Sequence, residues 1–225
     1  TSQTVSLFCR ELGLTRGLAK GARRPKSPYS GGIDILTRGR AGVIVKQTSE
    51  MALITEWDLL EQFPPLRKSL PAHYAGMYMA ELIHHAVHDH DPHVALYDAL
   101  LAGLRSLADE AARAAAILDF QWATLVETGY MPHVGADVRT GAELPSSPFL
   151  RFDPMLGGLI PDDAQGMTGG SWRVRSETVG VLRRLPLAAH AGAAPSPASV
   201  DRSNRLLASY LRHVLGREPK MMSFL

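Results

Sequence analysis

The stretch Thr4–Leu14, TVSLFCRELGL, contains two apolar segments separated by a short polar turn. Residues 4–9 are rich in β-branched and aromatic side chains, and residues 10–13 supply the turn before the chain resumes. This order predicts a β-hairpin. Further strands are expected at 43–46 and 51–55. Short strands joined by glycine-containing turns at the start of the chain predict a small barrel or half-barrel.

The segment between these strands has a different composition. Residues 24–32 are rich in proline, glycine and serine, which predicts a loop. Residues 33–37 form an apolar, β-prone run, so we expect a strand there. Arg38-Gly39-Arg40 places a glycine between two cations, and this tripeptide predicts a turn.

Helical spacing begins at Leu66 and continues over much of the remaining chain. Asp89-His90-Asp91-Pro92 ends the first helix, and Gly129 stands at the usual C-terminal position of the third. Residues 130–170 contain many Pro, Gly and Ser without periodicity, which predicts a long irregular insert. The helices after the first are expected at 94–107, 109–128, 176–185 and 200–215.

Charge is unevenly distributed along the chain. The formal net charge of the 225 residues is only +2, but residues 1–46 carry nine cations and two carboxylates, a net +7. The remainder is therefore net −5. A basic first part on a mildly acidic remainder predicts a localised surface for a polyanion, of which nucleic acid is the commonest.

The cations are concentrated in Gly17–Ser27, where Lys20 lies between small residues and no carboxylate interrupts the segment. Small residues let the backbone of another molecule approach closely. A solvated charged loop is the alternative interpretation. Phe8 and Tyr29 are candidates to stack on bases. The candidate nucleic-acid-binding residues are Lys20, Arg23, Arg24, Lys26, Arg38, Arg40 and Lys46.

The sequence assigns no catalytic residue. It contains no nucleophile elbow, no phosphate-binding loop and no dinucleotide fingerprint. Glu81, His84, His85 and His88 include i,i+4 pairs that could each face a metal ion, so a metal-dependent hydrolase is one alternative. The other interpretation of these histidines is a polar helix end, because the sequence shows no further ligand set.

Cys9 is the only cysteine, which excludes a disulfide framework and a cysteine zinc site. No signal peptide and no apolar run of membrane-spanning length occur in the sequence, so no membrane partner is expected. These features predict a cytoplasmic protein.

Short motifs occur in a fixed order along nearly the whole chain. None is specific alone, but their order and spacing together resemble the RecO family of bacterial DNA repair proteins. The motifs are Ser6-Leu7-Phe8, Glu11-Leu12-Gly13, Ala19-Lys20-Gly21-Ala22-Arg23, Tyr78-Met79-Ala80-Glu81-Leu82, Leu96-Tyr97-Asp98-Ala99-Leu100-Leu101, Gly129-Tyr130-Met131-Pro132, Gly157-Gly158, Ser176-Glu177-Thr178, Leu182-Arg183-Arg184-Leu185 and Tyr210-Leu211-Arg212-His213.

The resemblance implies an α+β protein with an N-terminal OB-fold β-barrel, a helical middle domain and a small C-terminal helical module. The expected domains are 1–60 for the DNA-binding OB-fold, 61–130 for the helical domain, 131–172 for an irregular insert in place of a zinc site, and 173–225 for C-terminal helices that complete the helical domain. The first strand of the barrel is expected to be missing, because the chain begins where the second should start.

The resemblance also implies a recombination mediator and not an enzyme. Such a protein binds single- and double-stranded DNA, anneals complementary strands and, with RecR, helps to load RecA onto strands covered by single-strand-binding protein. The C-terminal tail of single-strand-binding protein needs an apolar pocket with one or two cations. The candidate cations are Arg105, Arg113, Arg183 and Arg184. A generic RNA-binding OB protein is a further alternative.

Many members of this family carry a four-cysteine zinc site. The corresponding positions here are Asp137, Thr140, Pro161 and Ala164. This set is not a tetrahedral zinc ligand group, so neither a metal nor another cofactor is expected.

Overall fold

The computed structural model describes residues 2–22, 24, 29–30, 33–45, 51–163, 170–185 and 194–224. The chain divides into two compact units. Unit 1 comprises Thr1–Glu110 and Pro219–Leu225, and unit 2 comprises Ala111–Glu218. The α+β class expected from the sequence is confirmed, while the four domain boundaries given above stay a prediction.

Unit 1 contains one five-stranded sheet. Its strands run in the order β1-β2-β5-β3, and β4 pairs with β5 outside this path. β1 and β2 form the antiparallel hairpin predicted from the first residues of the sequence. Within the described residues the strands form an open OB-type sheet and not a closed ring. The strands are β1 (Gln3–Cys9), β2 (Gly13–Ala19), β3 (Tyr29–Ser30), β4 (Arg38–Ile44) and β5 (Ala52–Glu61).

β5 organises this sheet because β2, β3 and β4 all pair with it. Register shifts leave Thr55 and Leu60 of β5 opposite no residue of β4, so the long strand bends at two bulges. The bend encloses a small core, which explains how a short sheet can bury its inner face. The core residues are Ala19, Tyr29, Ile33, Ile54 and Trp57, and Val5, Leu7, Ala22, Ala41 and Leu59 pack against them.

The turn predicted at Arg38-Gly39-Arg40 is wrong, because these residues begin β4. Gly39 lies against the indole ring of Trp57, and a Cβ there would collide with that ring. It would also lie 2.7 Å from the backbone oxygen of Asp58. The glycine therefore allows a close approach between strand and ring and does not mark a turn.

The strand predicted at 33–37 is also wrong, because residues 35–36 form a turn. The Asp34 side chain accepts a hydrogen bond from the Ile35 backbone N–H at 2.9 Å, and the Thr37 hydroxyl donates to the Asp34 carbonyl. Local side-chain bonds of this kind compete with strand pairing. Only Ile33 of the apolar run enters the core.

In the part of unit 1 that the structure describes, three α-helices and a 3-10 helix accompany the sheet. They are α1 (Pro64–Lys68), α2 (Leu70–Ala86), α3 (Val94–Ser106) and the C-terminal 3-10 helix (Lys220–Phe224). The long predicted first helix is thus broken at Ser69, whose side chain accepts a hydrogen bond from the Ala72 N–H and caps α2. α3 agrees with its predicted range within one residue.

Unit 2 combines helices with a three-stranded sheet in the order β7-β6-β8. The sheet corrects the prediction of an irregular insert, because its strands are too short to show a clear alternation in the sequence. Gly129 follows α4 in the left-handed conformation expected of a helix end, with φ of 82°. The elements are α4 (Glu110–Glu127), β6 (Phe149–Asp153), β7 (Gly158–Pro161), β8 (Trp172–Arg175), α5 (Ser176–Leu182) and α6 (Pro197–Leu215).

Phe152 is the centre of unit 2, and its side chain is fully buried. Its ring stacks on Trp172 of β8 with centroids 5.9 Å apart and meets the edge of Tyr210 of α6 at 5.0 Å. These contacts fix the sheet against α6. Among the helices that the structure describes, none has the length and apolar character needed to cross a membrane.

Candidate nucleic-acid interface

The register of the unit 1 sheet determines which cations face outward. Leu18 of β2 lies beside Leu53 of β5, and Leu53 lies opposite Ile44 of β4. Among the residues that alternate with them, Ala19 and Ile54 belong to the core. Because side chains alternate between the two faces of a strand, Lys20 and Arg40 share the outer face with this apolar row. β2 and β4 flank β5, so their backbones lie roughly 10 Å apart.

Of the predicted DNA-binding residues that follow β2 and precede β3, Lys20 and Arg24 are the two that the structure describes. A tight turn connects them, in which the Arg24 N–H donates to the Gly21 carbonyl at 3.0 Å. Both side chains are exposed. Neither has a carboxylate within ion-pair distance among the described residues. Their charges are therefore available to an anionic ligand.

The cations of β4 have acidic neighbours. Arg38 lies 3.7 Å from Glu61, and Arg40 stands directly opposite Asp58 in the register. Glu61 also accepts two hydrogen bonds from Arg105, at 3.0 and 2.7 Å. The hydrogen bonds from Arg105 favour the ionised carboxylate, while slight burial disfavours it. The net effect holds the pKa of Glu61 below its usual value. The predicted site thus has an uncompensated part at Lys20 and Arg24 and a part on β4 where Arg38 is paired with Glu61 and Arg40 stands beside Asp58 without an ion pair among the described residues.

Two further cations of the basic first part are paired. Arg10 makes a bidentate contact with Asp98, at 3.1 and 3.0 Å, and Arg16 lies 3.3 Å from Asp89. The remaining predicted DNA-binding residues are Arg23, Lys26 and Lys46, and they lie outside the described residues.

The two aromatic candidates, Tyr29 and Phe8, differ in how far their side chains are exposed to solvent. Tyr29 is only 5% exposed, and its hydroxyl donates to the Ile54 carbonyl at 2.7 Å. It belongs to the core, so the suggestion that it stacks on bases is wrong. Phe8 is half-buried with its ring centroid 5.9 Å from that of Tyr97. The outer apolar row of β2, β5 and β4 was not identified from the sequence, because it appears only when the three strands are aligned.

Glu81, a residue of the hydrolase alternative, has a structural role. Its two carboxylate oxygens accept the backbone N–H groups of Lys220 and Met221, each at 2.8 Å. The His85 ring lies 3.5 Å away. Across the described part of the chain, no three His, Cys, Asp or Glu side chains are arranged to hold a metal ion. Glu81 therefore fastens the C-terminal 3-10 helix to α2, and both of its carboxylate oxygens already accept hydrogen bonds at the position where the hydrolase alternative needs a metal ligand.

Replacing Glu81 by Gln should loosen the C-terminal 3-10 helix. We expect the amide hydrogens of Lys220 and Met221 to exchange about tenfold faster, because charged hydrogen bonds contribute roughly 1.5–3 kcal/mol. Burial opposes ionisation of Glu81, but the two N–H donors and His85 outweigh it and lower its pKa. The contact should therefore persist at neutral pH and be lost as the pH falls through this lowered value.

Hydrogen-exchange mass spectrometry or NMR measures this effect, with the exposed Glu143→Gln as control. Unchanged exchange at both amides would contradict the fastening role. A stoichiometric transition metal that disappears with Glu81→Gln would contradict it as well.

The positions of the family's zinc ligands do not fit a metal in this chain. The carboxylate of Asp137 is occupied by the backbone N–H of Arg139 at 2.9 Å and then by the Arg139 guanidinium at 3.3 Å. These contacts lower its pKa. The Thr140 hydroxyl accepts the Ala142 N–H at 3.2 Å, and Pro161 offers no ligand atom in its side chain. Ala164 lies outside the described residues.

A cavity of about 570 Å³ lies in unit 2 beside Arg183. Trp122 and residues 131–138 supply most of its lining. The Arg183 Nε donates to the Val134 carbonyl at 2.7 Å, which fixes the guanidinium at the rim. Of the four arginines considered for an acidic tail, Arg183 is the one that lines this cavity. Arg105 is engaged with Glu61, and the Arg184 Nε donates to the Gly180 carbonyl.

Comparison with known proteins covers both parts of the chain. The family model described as Recombination protein O N terminal matches residues 1–63, and Recombination protein O C terminal matches residues 67–223. A DNA repair protein RecO from Anaeromyxobacter sp. (strain Fw109-5) is 32% identical over 228 residues, which cover 100% of this chain and 89% of that protein.

Two further relatives carry the same description, DNA repair protein RecO. The protein from Rhodopirellula baltica is 36% identical over 132 residues, 59% of this chain and 49% of the relative. The protein from Myxococcus xanthus is 26% identical over 225 residues, 100% of this chain and 90% of the relative. These matches support a role in DNA repair and recombination. The chain therefore belongs to the RecO family.

Proposed function

We propose that this protein binds single- and double-stranded DNA through the outer face of the unit 1 sheet and anneals complementary strands. The observation that carries the proposal is the exposed pair Lys20 and Arg24, which has no carboxylate partner among the described residues. Cations of this kind contact phosphates without reading the base sequence. The apolar row Leu18, Leu53 and Ile44 lies on the same face and offers contact to unstacked bases.

Annealing on this surface needs no covalent chemistry, so we propose that the protein is not an enzyme. Two DNA strands repel each other through their phosphates. Cations on the protein screen that repulsion and replace condensed counterions. Base pairing then supplies the driving force, and the protein only raises the rate at which strands meet. Such a protein would work at the nucleoid, where its DNA is.

A salt series tests the electrostatic part of the proposal. Phosphate contacts from Lys20 and Arg24 should make the binding constant of an unstructured single strand fall as salt rises. A plot of log K against log salt concentration should have a slope of about −1.4 or steeper. The same protein should accelerate annealing of complementary oligonucleotides, measured by fluorescence quenching. A slope near zero would contradict the phosphate contacts, and unchanged annealing despite tight binding would contradict the annealing role.

We further propose that the protein works with RecR to load RecA onto strands covered by single-strand-binding protein. The C-terminal tail of that protein combines an apolar end with carboxylates, so its site requires an apolar pocket beside a cation. The cavity at Arg183 supports this assignment, because Trp122 and Pro132 line it next to the guanidinium.

Reversing the charge at Arg183 should strongly weaken tail binding and leave DNA binding intact. A carboxylate at this position repels the acidic tail and loses a charge-assisted hydrogen bond, which together predict about tenfold weaker binding or more. Fluorescence anisotropy with a labelled tail peptide measures the affinity. Arg205→Glu is the control, because Arg205 is exposed on α6 and pairs only locally with Asp201. Equal peptide affinity in both variants would exclude this cavity.

A further inference from the structure

A second basic surface lies on unit 2, on the outer face of strands β6 and β8. The antiparallel register places Phe149 opposite Arg175 and Arg151 opposite Arg173. The residues that alternate with these four are buried or half-buried on the inner face. The four side chains therefore share one outward face. We name this group, Phe149, Arg151, Arg173 and Arg175, the β6–β8 arginine surface.

The ring of Phe149 organises two of the guanidinium groups. The guanidinium carbon of Arg173 lies 4.0 Å from the ring centroid, and that of Arg175 lies 5.5 Å from it. Both distances are within the range of cation–π attraction. Contacts with the ring restrict the arginine side chains before any ligand arrives, so less conformational entropy is lost on binding.

The charge of this surface is only partly neutralised. Asp162 accepts hydrogen bonds from Arg173, at 2.9 and 3.0 Å, and its other oxygen lies 3.6 Å from Arg151. The Arg151 Nε also donates to the Ser171 hydroxyl at 3.0 Å. Arg175 has no ion-pair partner within the described ranges. Two of the three guanidinium groups thus share one carboxylate, and the third has none in the part of the chain that the structure describes.

We propose that the β6–β8 arginine surface is a second binding site for a phosphodiester strand. The planar fork of arginine matches phosphate oxygens in a bidentate manner. Arg173 and Arg175 are two residues apart on one face of a strand, which separates their backbones by about 7 Å. A nucleic acid backbone can contact such a row repeatedly, and its bases can stack on the guanidinium planes.

An acidic peptide is the other polyanion that arginines can hold. The β6–β8 arginine surface favours the nucleic acid because its guanidinium groups form a repeated row on a strand face. The single ring of this surface, Phe149, is already engaged by two arginines. A peptide would gain little apolar contact from it.

This inference rests on the proposed annealing function and adds a physical requirement to it. Annealing brings two strands together, so a protein with two separate phosphate-binding surfaces can hold both at once. Lys20 and Arg24 in unit 1 would hold one strand, and the β6–β8 arginine surface in unit 2 would hold the other. The two sites need not recognise sequence, because base pairing does so.

The experiment measures whether one protein preparation holds two strands that cannot pair. Donor-labelled and acceptor-labelled oligothymidylates of about 30 nucleotides are mixed with limiting protein, and energy transfer reports strands held together. Neutralising both residues by Arg173→Gln and Arg175→Gln should reduce energy transfer about fivefold. Affinity for the first strand, read by anisotropy, should change less than about twofold. Arg205→Gln is the matched control, because it removes an arginine charge from α6 of the same unit.

The outcomes separate this inference from the proposed function. A wild-type protein that binds no strand overturns the proposed function. One that binds a strand but never two, or whose energy transfer survives the double substitution, overturns only the second site. A double variant that loses affinity for a poly-glutamate peptide but keeps strand bridging also overturns it.

A second variant keeps the proposal testable if the double variant is unstable. If the thermal midpoint of the double variant falls by more than about 3 °C, Phe149→Leu replaces it. This substitution keeps all three guanidinium groups and removes only the ring that organises them. Bridging should then weaken about twofold or more, and unchanged bridging in Phe149→Leu overturns the proposal.

Discussion

Reversing two charges, Lys20→Glu with Arg24→Glu, should weaken single-strand DNA binding about tenfold or more at low salt. Each residue is exposed beyond the end of β2 and has no carboxylate partner among the residues described. Each reversal removes a phosphate contact and adds a repulsive charge at the same position. The salt slope should shift toward zero by about 1.4, since each lost contact accounts for about 0.7 in single strands. Anisotropy across a salt series measures both quantities.

The control for this prediction lies on the same sheet. Arg40→Glu also reverses a charge on the outer face, but it removes a cation that already stands opposite Asp58. Its effect on affinity should be smaller than that of either reversal at Lys20 or Arg24. If Arg40→Glu weakens binding about tenfold while Lys20→Glu with Arg24→Glu is harmless, the uncompensated part of the site has been assigned to the wrong residues. Loss confined to particular DNA sequences would also contradict contacts to phosphates alone.

The largest effect on stability is expected from Gly39→Ala. A methyl group at this position collides with the Trp57 ring and approaches the Asp58 carbonyl. Trp57 is 5% exposed and sits in the core, so the ring has little room to retreat. Overpacking of this kind costs about 2–3 kcal/mol and should lower the unfolding midpoint of unit 1 by roughly 8–12 °C.

Gly180→Ala is the control, because it should raise the stability of the protein where Gly39→Ala lowers it. Gly180 lies inside α5, and a Cβ there meets no atom within 4 Å. Alanine should stabilise that helix by about 0.5–1 kcal/mol. Denaturant unfolding followed by tryptophan fluorescence compares the two variants. A Gly39→Ala protein as stable as the wild type would show that strand β4 does not pass as close to Trp57 as described.

Local patterns in the sequence were enough to predict the hairpin, α3 and the end of α4. Each of these depends on residues close together in the chain: the turn after Cys9, the leucine spacing from Leu96, and Gly129. Gly39 shows why the rest was harder to predict. A glycine that makes a turn and a glycine that admits a ring look identical until the partner strand is known.

The candidate site likewise combines features that local sequence predicts with features that depend on strand pairing. The sequence identified the basic segment, but it could not distinguish compensated from uncompensated cations. Glu61 and Asp58 face Arg38 and Arg40 only because β4 and β5 pair with two bulges. Tyr29 was misassigned for a similar reason: its hydroxyl partner, the Ile54 carbonyl, is 25 residues away in the chain. The arginines of β6 and β8 become neighbours only through the register of their strands.

The contact of Glu81 with Lys220 and Met221 has a consequence for biosynthesis. Unit 1 is interrupted in the chain by unit 2, and its last contributing segment leaves the ribosome after all of 111–218. Domains generally fold as the chain emerges. The sheet and α2 can therefore assemble early. The hydrogen bonds from Lys220 and Met221 to Glu81 can form only after synthesis of unit 2 is finished.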